Sequence, residues 1–249
     1  MEIITSRKNS FITHVRRLAA DGDYRRERGE FLCDGIKTLR EALQFGASVS
    51  SVLWKEAPQE LAGLVCNAQY AAPAELFDYA STMKNSPGPL FTVRIPQTDG
   101  EVSLKNAVVL ENVQDPGNVG TVIRSANAFG INAVLLTGDC ADLYNPKTVR
   151  STMGAIFRQR VLRLERQELK SLLLKNGLPL YGAALSPEAE DIRSVNVKNA
   201  AVAVGSEGRG LSRELLNVCD GELIIPMNPD SESLNAAVAA SVFMWEMTR

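Results

Sequence analysis

The chain of 249 residues has a single histidine, His14, and four cysteines, Cys33, Cys66, Cys140 and Cys219, that are far apart and form no CxxC pair. One imidazole argues against a His-based metal centre or a Ser-His-Asp triad. The cysteine spacing argues against a zinc site or a disulfide frame, and the thiols read as buried groups in a reducing compartment. No metal is expected. Charge of one sign is missing too: 27 Lys and Arg face 29 Asp and Glu, a net charge of −2. No global field therefore draws the chain onto nucleic acid, and any such contact has to use a local patch. No apolar run reaches the roughly 18 residues of a membrane helix, and charges interrupt the amino end before any run of signal-peptide length. A soluble, cytoplasmic protein is expected. What is present is 45% hydrophobic residues, enough for a sizeable core, in a length natural for two domains.

The first hundred residues read as a small layered αβ domain. Ser6 is a candidate N-cap for a helix with Phe11, Ile12, Val15 and Leu18 on one face. Glu30 to Cys33 reads as a strand, and Asp34 as the cap of an amphipathic helix closed by Gly46. Val49 to Trp54 alternates as a strand does. A weaker strand near Leu64, a helix over Pro73 to Tyr79 and a strand over Leu90 to Ile95 complete the domain. Residues 1–28 carry seven Lys and Arg against four Asp and Glu. Arg7, Lys8, Arg16, Arg17, Arg25 and Arg26, with Tyr24 among them, read either as a phosphate-gripping RNA patch or as a solvated charged face. Pro96 to Gly100 reads as a linker.

From Ala107 the texture changes. Apolar β-rich runs over Val108–Leu110, Ala133–Leu136, Leu178–Ala183, Ala201–Val204 and Leu223–Ile225 alternate with helix-sized segments, the pattern of a parallel sheet covered on both faces. The fold class is α/β. Three stretches at strand ends carry unusual chemistry. The first runs from Glu111 to Gly120; there Asn118 reads as a cap for a helix over Val119–Phe129, and Arg124 projects from that helix's second turn. The second, Gly205-Ser206-Glu207-Gly208-Arg209-Gly210, permits tight turns and close backbone approach. Its order is GxxGxG, not the GxGxxG of a dinucleotide cradle, and no strand-end acid follows at the expected spacing. Glu207 at its centre repels phosphate and suits a neutral or cationic ligand. The third begins as a strand broken at Pro226, makes a polar loop over Met227–Ser233, and enters a helix at Leu234-Asn235-Ala236-Ala237, with Ser233 a candidate N-cap. Its small residues let a backbone or flat ligand come close.

These three stretches, in this order, resemble the three motifs of the SpoU (TrmH) family of RNA 2′-O-ribose methyltransferases, in the SPOUT superfamily. Asn112 to Gly120 with Arg124 matches the first motif, Gly205 to Gly210 the second, and Ile225-Pro226-Met227 with Ser233-Leu234-Asn235 the third. The amino end resembles the family's L30e-like substrate-binding domain through Ile4-Thr5-Ser6, Tyr24-Arg25 and Phe31 to Gly35. The chain departs from the pattern at Ser206, where asparagine is usual, and at Asp34, where glutamate is usual.

The resemblance implies an RNA-binding domain over residues 1–98 and a methyltransferase domain over residues 105–249 with a trefoil knot, which chain physics alone excludes by default. It further implies S-adenosylmethionine held in the knot, a homodimer, and a ribose hydroxyl in RNA as acceptor, ribosomal RNA ahead of transfer RNA. By match of position, Leu136, Thr137, Gly205, Glu207, Gly208, Ile225, Met227, Leu234, Asn235 and Ala237 are expected around the cofactor. Arg124 is the expected catalytic residue, with Asn118, Glu207, Ser233 and Asn235 orienting it. Because arginine stays protonated, Arg124 is expected to position phosphate and stabilise developing negative charge. The competing classes are a catalytically silent RNA-binding factor of the same fold and, disfavoured by the glycine order, a nucleotide-dependent oxidoreductase.

Overall fold

The computed structural model describes residues 1–58, 61–97, 102–228, 230 and 233–249. The expected linker at Pro96–Gly100 and polar loop at Met227–Ser233 lie partly outside these residues. The chain forms two compact units, Met1–Asp99 with Asp142–Phe157, and Gly100–Ala141 with Arg158–Arg249. Residues 142–157, assigned by sequence to the second domain, thus belong to the first unit.

The first unit is built on a mixed sheet of β1 (Glu2–Ile3), β4 (Ala68–Ala72), β3 (Val49–Lys55), β5 (Leu90–Arg94) and β2 (Glu30–Asp34), in that spatial order. The strand expected near Leu64 forms later, as β4. Alternation sends the two faces of each strand into separate cores. Leu32 and Leu53 join Phe11, Ile12, Val15, Leu18 and Phe77 on one side. Phe31, Val52 and Trp54 join Leu39, Phe91 and Val93 on the other, where Val149, Ile156 and Phe157 also pack. Each such buried side chain contributes about 1.5–3 kcal/mol. The helices are α1 (Ser10–Ala20), α2 (Gly22–Arg28), α3 (Ile36–Gln44), α4 (Ala74–Ala80) and α6 (Pro146–Ser151).

Two caps differ from expectation. Asn9, not Ser6, caps α1, its side chain accepting from Phe11 N at 2.8 Å, while Ser6 Oγ accepts from Lys8 N at 3.2 Å. Gly35, at φ 98°, opens α3 in place of Asp34. The Asp34 carboxylate turns away to accept from Ser81 Oγ at 3.0 Å and Ser86 Oγ at 2.5 Å.

The second unit holds a parallel sheet in the order β10 (Glu190–Asp191), β12 (Gly221–Ile224), β9 (Leu180–Ala183), β11 (Ala201–Val204), β6 (Ala107–Glu111), β7 (Ala133–Thr137) and β8 (Val161–Arg163). Every residue of β6, β7 and β11 is buried, as strands covered on both faces require. β8 and β10 lack such a run, and neither was read from sequence. Helices α5 (Pro116–Phe129), α7 (Arg166–Lys175), α8 (Arg213–Leu216) and α9 (Ala236–Thr248) complete the unit. From β6 the chain winds outward through β7 and β8, then returns on the far side of β6. The carboxyl ends of β6 and β11 therefore adjoin at a topological switch point, where open α/β sheets open a crevice. Among the described residues no helix is long and apolar enough to cross a membrane.

Candidate active site

All three unusual stretches converge on that crevice. Asp115, not Asn118, caps α5: its Oδ1 accepts from Asn118 N at 2.9 Å, and Pro116 fills the first helical position, where its missing N–H costs nothing. Relieved of capping, the Asn118 side chain crosses to the loop after β11. Its Nδ2 donates to Glu207 Oε1 at 2.9 Å. Asn235 Nδ2 donates to Asn118 Oδ1 at 3.0 Å and also to Glu207 Oε1. Asn235, not Ser233, is the N-cap of α9, its Oδ1 accepting from Ala237 N at 3.0 Å and Val238 N at 3.2 Å. Glu207 Oε1 accepts as well from Ala236 N at 3.3 Å. The carboxylate that looked misplaced in a glycine loop therefore sits at a helix amino terminus, where the dipole favours negative charge.

Glycine is required at 205 by the chain itself. A Cβ there would lie 2.1 Å from the carbonyl of Gly210 and 2.4 Å from Leu211 N. The loop doubles back on itself through Gly210 N donating to Ser206 O at 2.8 Å. Its exit is pinned by Glu111, a fully buried carboxylate at the end of β6. Glu111 accepts from Ser212 N at 2.7 Å, Ser212 Oγ at 2.8 Å and Arg166 Nη2 at 3.1 Å. Burying a carboxylate is tolerable only with partners of this kind. The sequence reading gave Glu111 and Arg166 no role.

Two cavities flank the loop. One, of about 600 Å³, is lined by Gly205, Glu207, Gly208, Ile225, Met227 and Leu234 among the residues expected around a cofactor, and by Ser233. The other, of about 590 Å³, is lined by Asn112, Gln114, Asp115, Asn118, Asp139 and again Glu207. Both are of small-ligand size, and residues 206–211 form the wall between them. Leu136 and Thr137 are buried in β7 and line neither cavity. Asn235 and Ala237 line a groove between α5 and α9 together with Asn118, Thr121, Val238, Val242 and Trp245. Arg124 is exposed on α5, and among the described residues its side chain makes no hydrogen bond or ion pair and lines none of these spaces. Sequence reasoning missed Ala184, Leu185 and Ser186, which follow β9, and Glu222, all lining the first cavity. Their signal was the spatial order of the strands, with β9 between β11 and β12.

In the first unit, five of the six basic residues singled out, Arg7, Lys8, Arg16, Arg17 and Arg26, are exposed. Arg25 is the exception. It is 4% exposed; its Nε and Nη2 donate to Asp142 Oδ2 at 2.9 and 2.5 Å and its Nη1 to Leu18 O at 2.5 Å. Saturated in this way, Arg25 ties the 142–157 segment to α1 and cannot grip phosphate as expected. The exposed guanidiniums stack on tyrosines: Arg7 and Arg16 lie 4.6 and 3.9 Å from the centre of Tyr79, and Arg17 lies 3.8 Å from that of Tyr24. Tyr79 and Arg28, which lies 6.0 Å from Tyr24, are additions to the patch read from sequence. All four cysteines are free, but only Cys33 and Cys140 are fully buried. Burial first, then the charges of Asp220, Glu222 and Glu111, push the Cys219 thiol up to about 12.

The family model of the SpoU rRNA methylases matches residues 105–245. The chain belongs to the SpoU rRNA methylase family. Membership extends beyond the matched segment. The chain is 32% identical to the 23S rRNA (guanosine(2553)-2′-O)-methyltransferase RlmP of Bacillus subtilis over 99% of each protein. It is 28% identical to the 23S rRNA (uridine(2479)-2′-O)-methyltransferase of Streptomyces viridochromogenes, over 99% of this chain and 91% of that one. Among solved structures, the SpoU methyltransferase AviRb from S. viridochromogenes in complex with AdoMet superposes with a TM-score of 0.88 at 25% identity, covering 97% of this chain and 98% of that one. The α/β class of this SpoU protein is that of its solved relatives, as the resemblance of the three stretches implied.

Proposed function

We propose that this chain methylates a ribose 2′-hydroxyl of ribosomal RNA with S-adenosylmethionine as donor. One observation carries the reading: Asn118, Glu207 and Asn235, from three stretches of sequence, bond to one another in a wall shared by two ligand-sized cavities. A donor on one side and an acceptor on the other would meet there. The first cavity suits the donor, since its apolar lining of Ile225, Leu234 and Phe243 fits a base, and Glu207 fits a cation. When bound, that donor supplies a methyl group on a positively charged sulfur, which leaves neutral as the new C–O bond forms. The protein has to place the hydroxyl oxygen behind the methyl, a positioning effect that supplies several kcal/mol of the barrier, and to help the hydroxyl lose its proton. Asn118, Glu207 and Asn235, with Ser233, orient the reactants. Arg124 holds the adjacent RNA phosphate and stabilises negative charge on the oxygen.

Arg124 lines neither of the two cavities that flank the glycine loop, which favours a homodimer that delivers it to a second copy's site. α9 supports self-association. Its only charged residue is Glu246, yet Val238, Val242 and Trp245, spaced by four and three on one face, remain 49%, 37% and 56% exposed. A helix apolar all round is normally covered, and an exposed apolar face marks an interface. The trefoil knot belongs to the same reading: β12 lies beyond β9, yet Ser241 of α9 returns to bond Ser125 of α5 at 3.0 Å. The first unit would bind RNA through Arg7, Lys8, Arg16, Arg17, Arg26 and Arg28 with Tyr24 and Tyr79, and the setting is cytoplasmic.

Transfer of tritiated methyl from S-adenosylmethionine to ribosomal and transfer RNA, followed by mapping of the label, tests this. Label on a ribosomal ribose is expected. Label on transfer RNA alone would move the substrate, and RNA binding without label would make the protein a silent factor.

A further inference from the structure

The first cavity contains one polar pair that the reaction described above does not use. Ser186 Oγ donates to Glu222 Oε2 at 2.5 Å, and both residues line the cavity. Among the described residues no hydrogen bond reaches Glu222 Oε1, so half of this acceptor-only group is unspent on a residue that lines a space of ligand size. The position is built for it. Glu222 pairs in register with Gly182 of β9, and neighbours in register point to the same face of a sheet; the space beside Gly182 is filled by Leu216, Leu211 and Cys219, and Leu211 and Leu216 line the cavity with Glu222. Ser186, just beyond the end of β9, then fixes its rotamer.

Glu222 and Glu207 serve opposite sides of the cavity. Glu207 reaches toward β6 through Asn118, whereas Glu222 stands on β12, three strands from β6, about 14 Å by the usual strand spacing. The methyl has to lie at the Glu207 side, so Glu222 meets a remote part of the donor, and the apolar lining of Ile225, Leu234 and Phe243 favours its adenosine there over its charged amino-acid tail. Apolar walls take the base. The groups of adenosine that best satisfy a half-used carboxylate are the two adjacent hydroxyls of its ribose, both donors.

We propose that Glu222, oriented by Ser186, is the ribose-reading residue of the donor cavity, accepting hydrogen bonds from the vicinal diol of the cofactor's adenosine. The inference rests on the cavity being the donor site. It is tested by calorimetric titration of the full chain with S-adenosylmethionine, with S-adenosylhomocysteine and with the 2′-deoxyribosyl analogue of the latter. The wild-type protein is expected to bind the ribo form about tenfold or more tightly than the deoxy form, the scale of one hydrogen bond to a charged group. Glu222→Ala should weaken S-adenosylmethionine and S-adenosylhomocysteine by the same factor, since both carry the diol, and should erase the ribo-to-deoxy ratio. Glu222→Gln, which conserves volume and keeps the fold if alanine does not, should shrink that ratio, and Ser186→Ala should shrink it less. Loss confined to S-adenosylmethionine would make Glu222 a partner of the charged sulfur. An unchanged ratio in both Glu222 variants would leave it no role in reading ribose. Either result overturns the proposal. A wild-type protein that binds neither ligand would instead overturn the assignment of the cavity beneath it.

Discussion

The carboxyl edge of the second unit's sheet and the basic face of the first unit are both polar, but they are polar in different ways. At the sheet edge, polar side chains bond to one another: Asn118, Glu207 and Asn235 close a three-way network, and buried Glu111 anchors the glycine loop through Ser212. On the basic face, Arg7, Arg16 and Arg17 lie on tyrosine rings, and the further contacts of Arg7 with Glu75 and of Arg16 with Tyr79 O are exposed to solvent, where they exchange readily for a ligand. The first region is held in one geometry before anything binds, as chemistry requires. The second can adapt to a phosphate backbone, as affinity requires. Arginines divide along the same line: Arg25 is spent on Asp142 in the interior, whereas Arg26 and Arg7 pair with Asp23 and Glu75 at the exposed surface.

Substitutions should separate the two regions, and the largest effect falls at the sheet edge. Arg124→Ala is expected to abolish methyl transfer while leaving calorimetric binding of S-adenosylmethionine nearly unchanged; transfer at the wild-type rate would remove Arg124 from the mechanism. Gly205→Ala comes next. A Cβ that meets the backbone of Gly210 at 2.1 Å has to displace the loop, so S-adenosylmethionine affinity should fall at least about tenfold, as loss of one good polar contact alone would do. Arg25→Ala sharpens the contrast among arginines. It leaves a largely buried ion pair half broken and should cost about 3 kcal/mol in urea denaturation, whereas Arg16→Ala should cost under about 0.5 kcal/mol. Reversing Arg7, Arg16, Arg17 and Arg26 to glutamate should weaken RNA binding and flatten its dependence on salt, with no change in S-adenosylmethionine affinity; an unchanged salt slope would make the face a merely solvated one.

The smallest effect is electrostatic. A hydrogen bond from His14 to Glu30 at 3.1 Å, outweighing burial and helped by Ser50 and the charges of His14 and Arg94, holds the Glu30 carboxyl below its usual range. A depressed carboxyl contributes stability that is full above the ordinary glutamate value of about 4.3 and is lost as pH falls through the lowered value. His14→Ala should therefore flatten the acid limb of a stability profile between about pH 3 and pH 5, by under about 1 kcal/mol.

Much of this was legible in the sequence, and the failures share a cause. Strands buried on both faces announce themselves as apolar runs, so β6, β7 and β11 were readable, and the motif order implied the family. Caps were not. Asp115 and Asn118, or Ser233 and Asn235, are equally good caps by residue type, and the choice depends on which side chain is needed elsewhere: Asn118 is drawn away by Glu207 from a loop 89 residues distant. Ser186 and Glu222 look like ordinary loop and strand residues until β9 is seen beside β12. Residues 142–157 read as part of the second domain because nothing local says that Val149 and Phe157 complete the core of the first.

A crystal of the protein soaked with S-adenosylmethionine tests the central claim most directly. The account predicts the donor in the cavity lined by Gly205, Ile225 and Leu234, its methyl turned toward the wall where Asn118 meets Glu207. A donor bound elsewhere, or one whose methyl faces away from that wall in every copy, would contradict it.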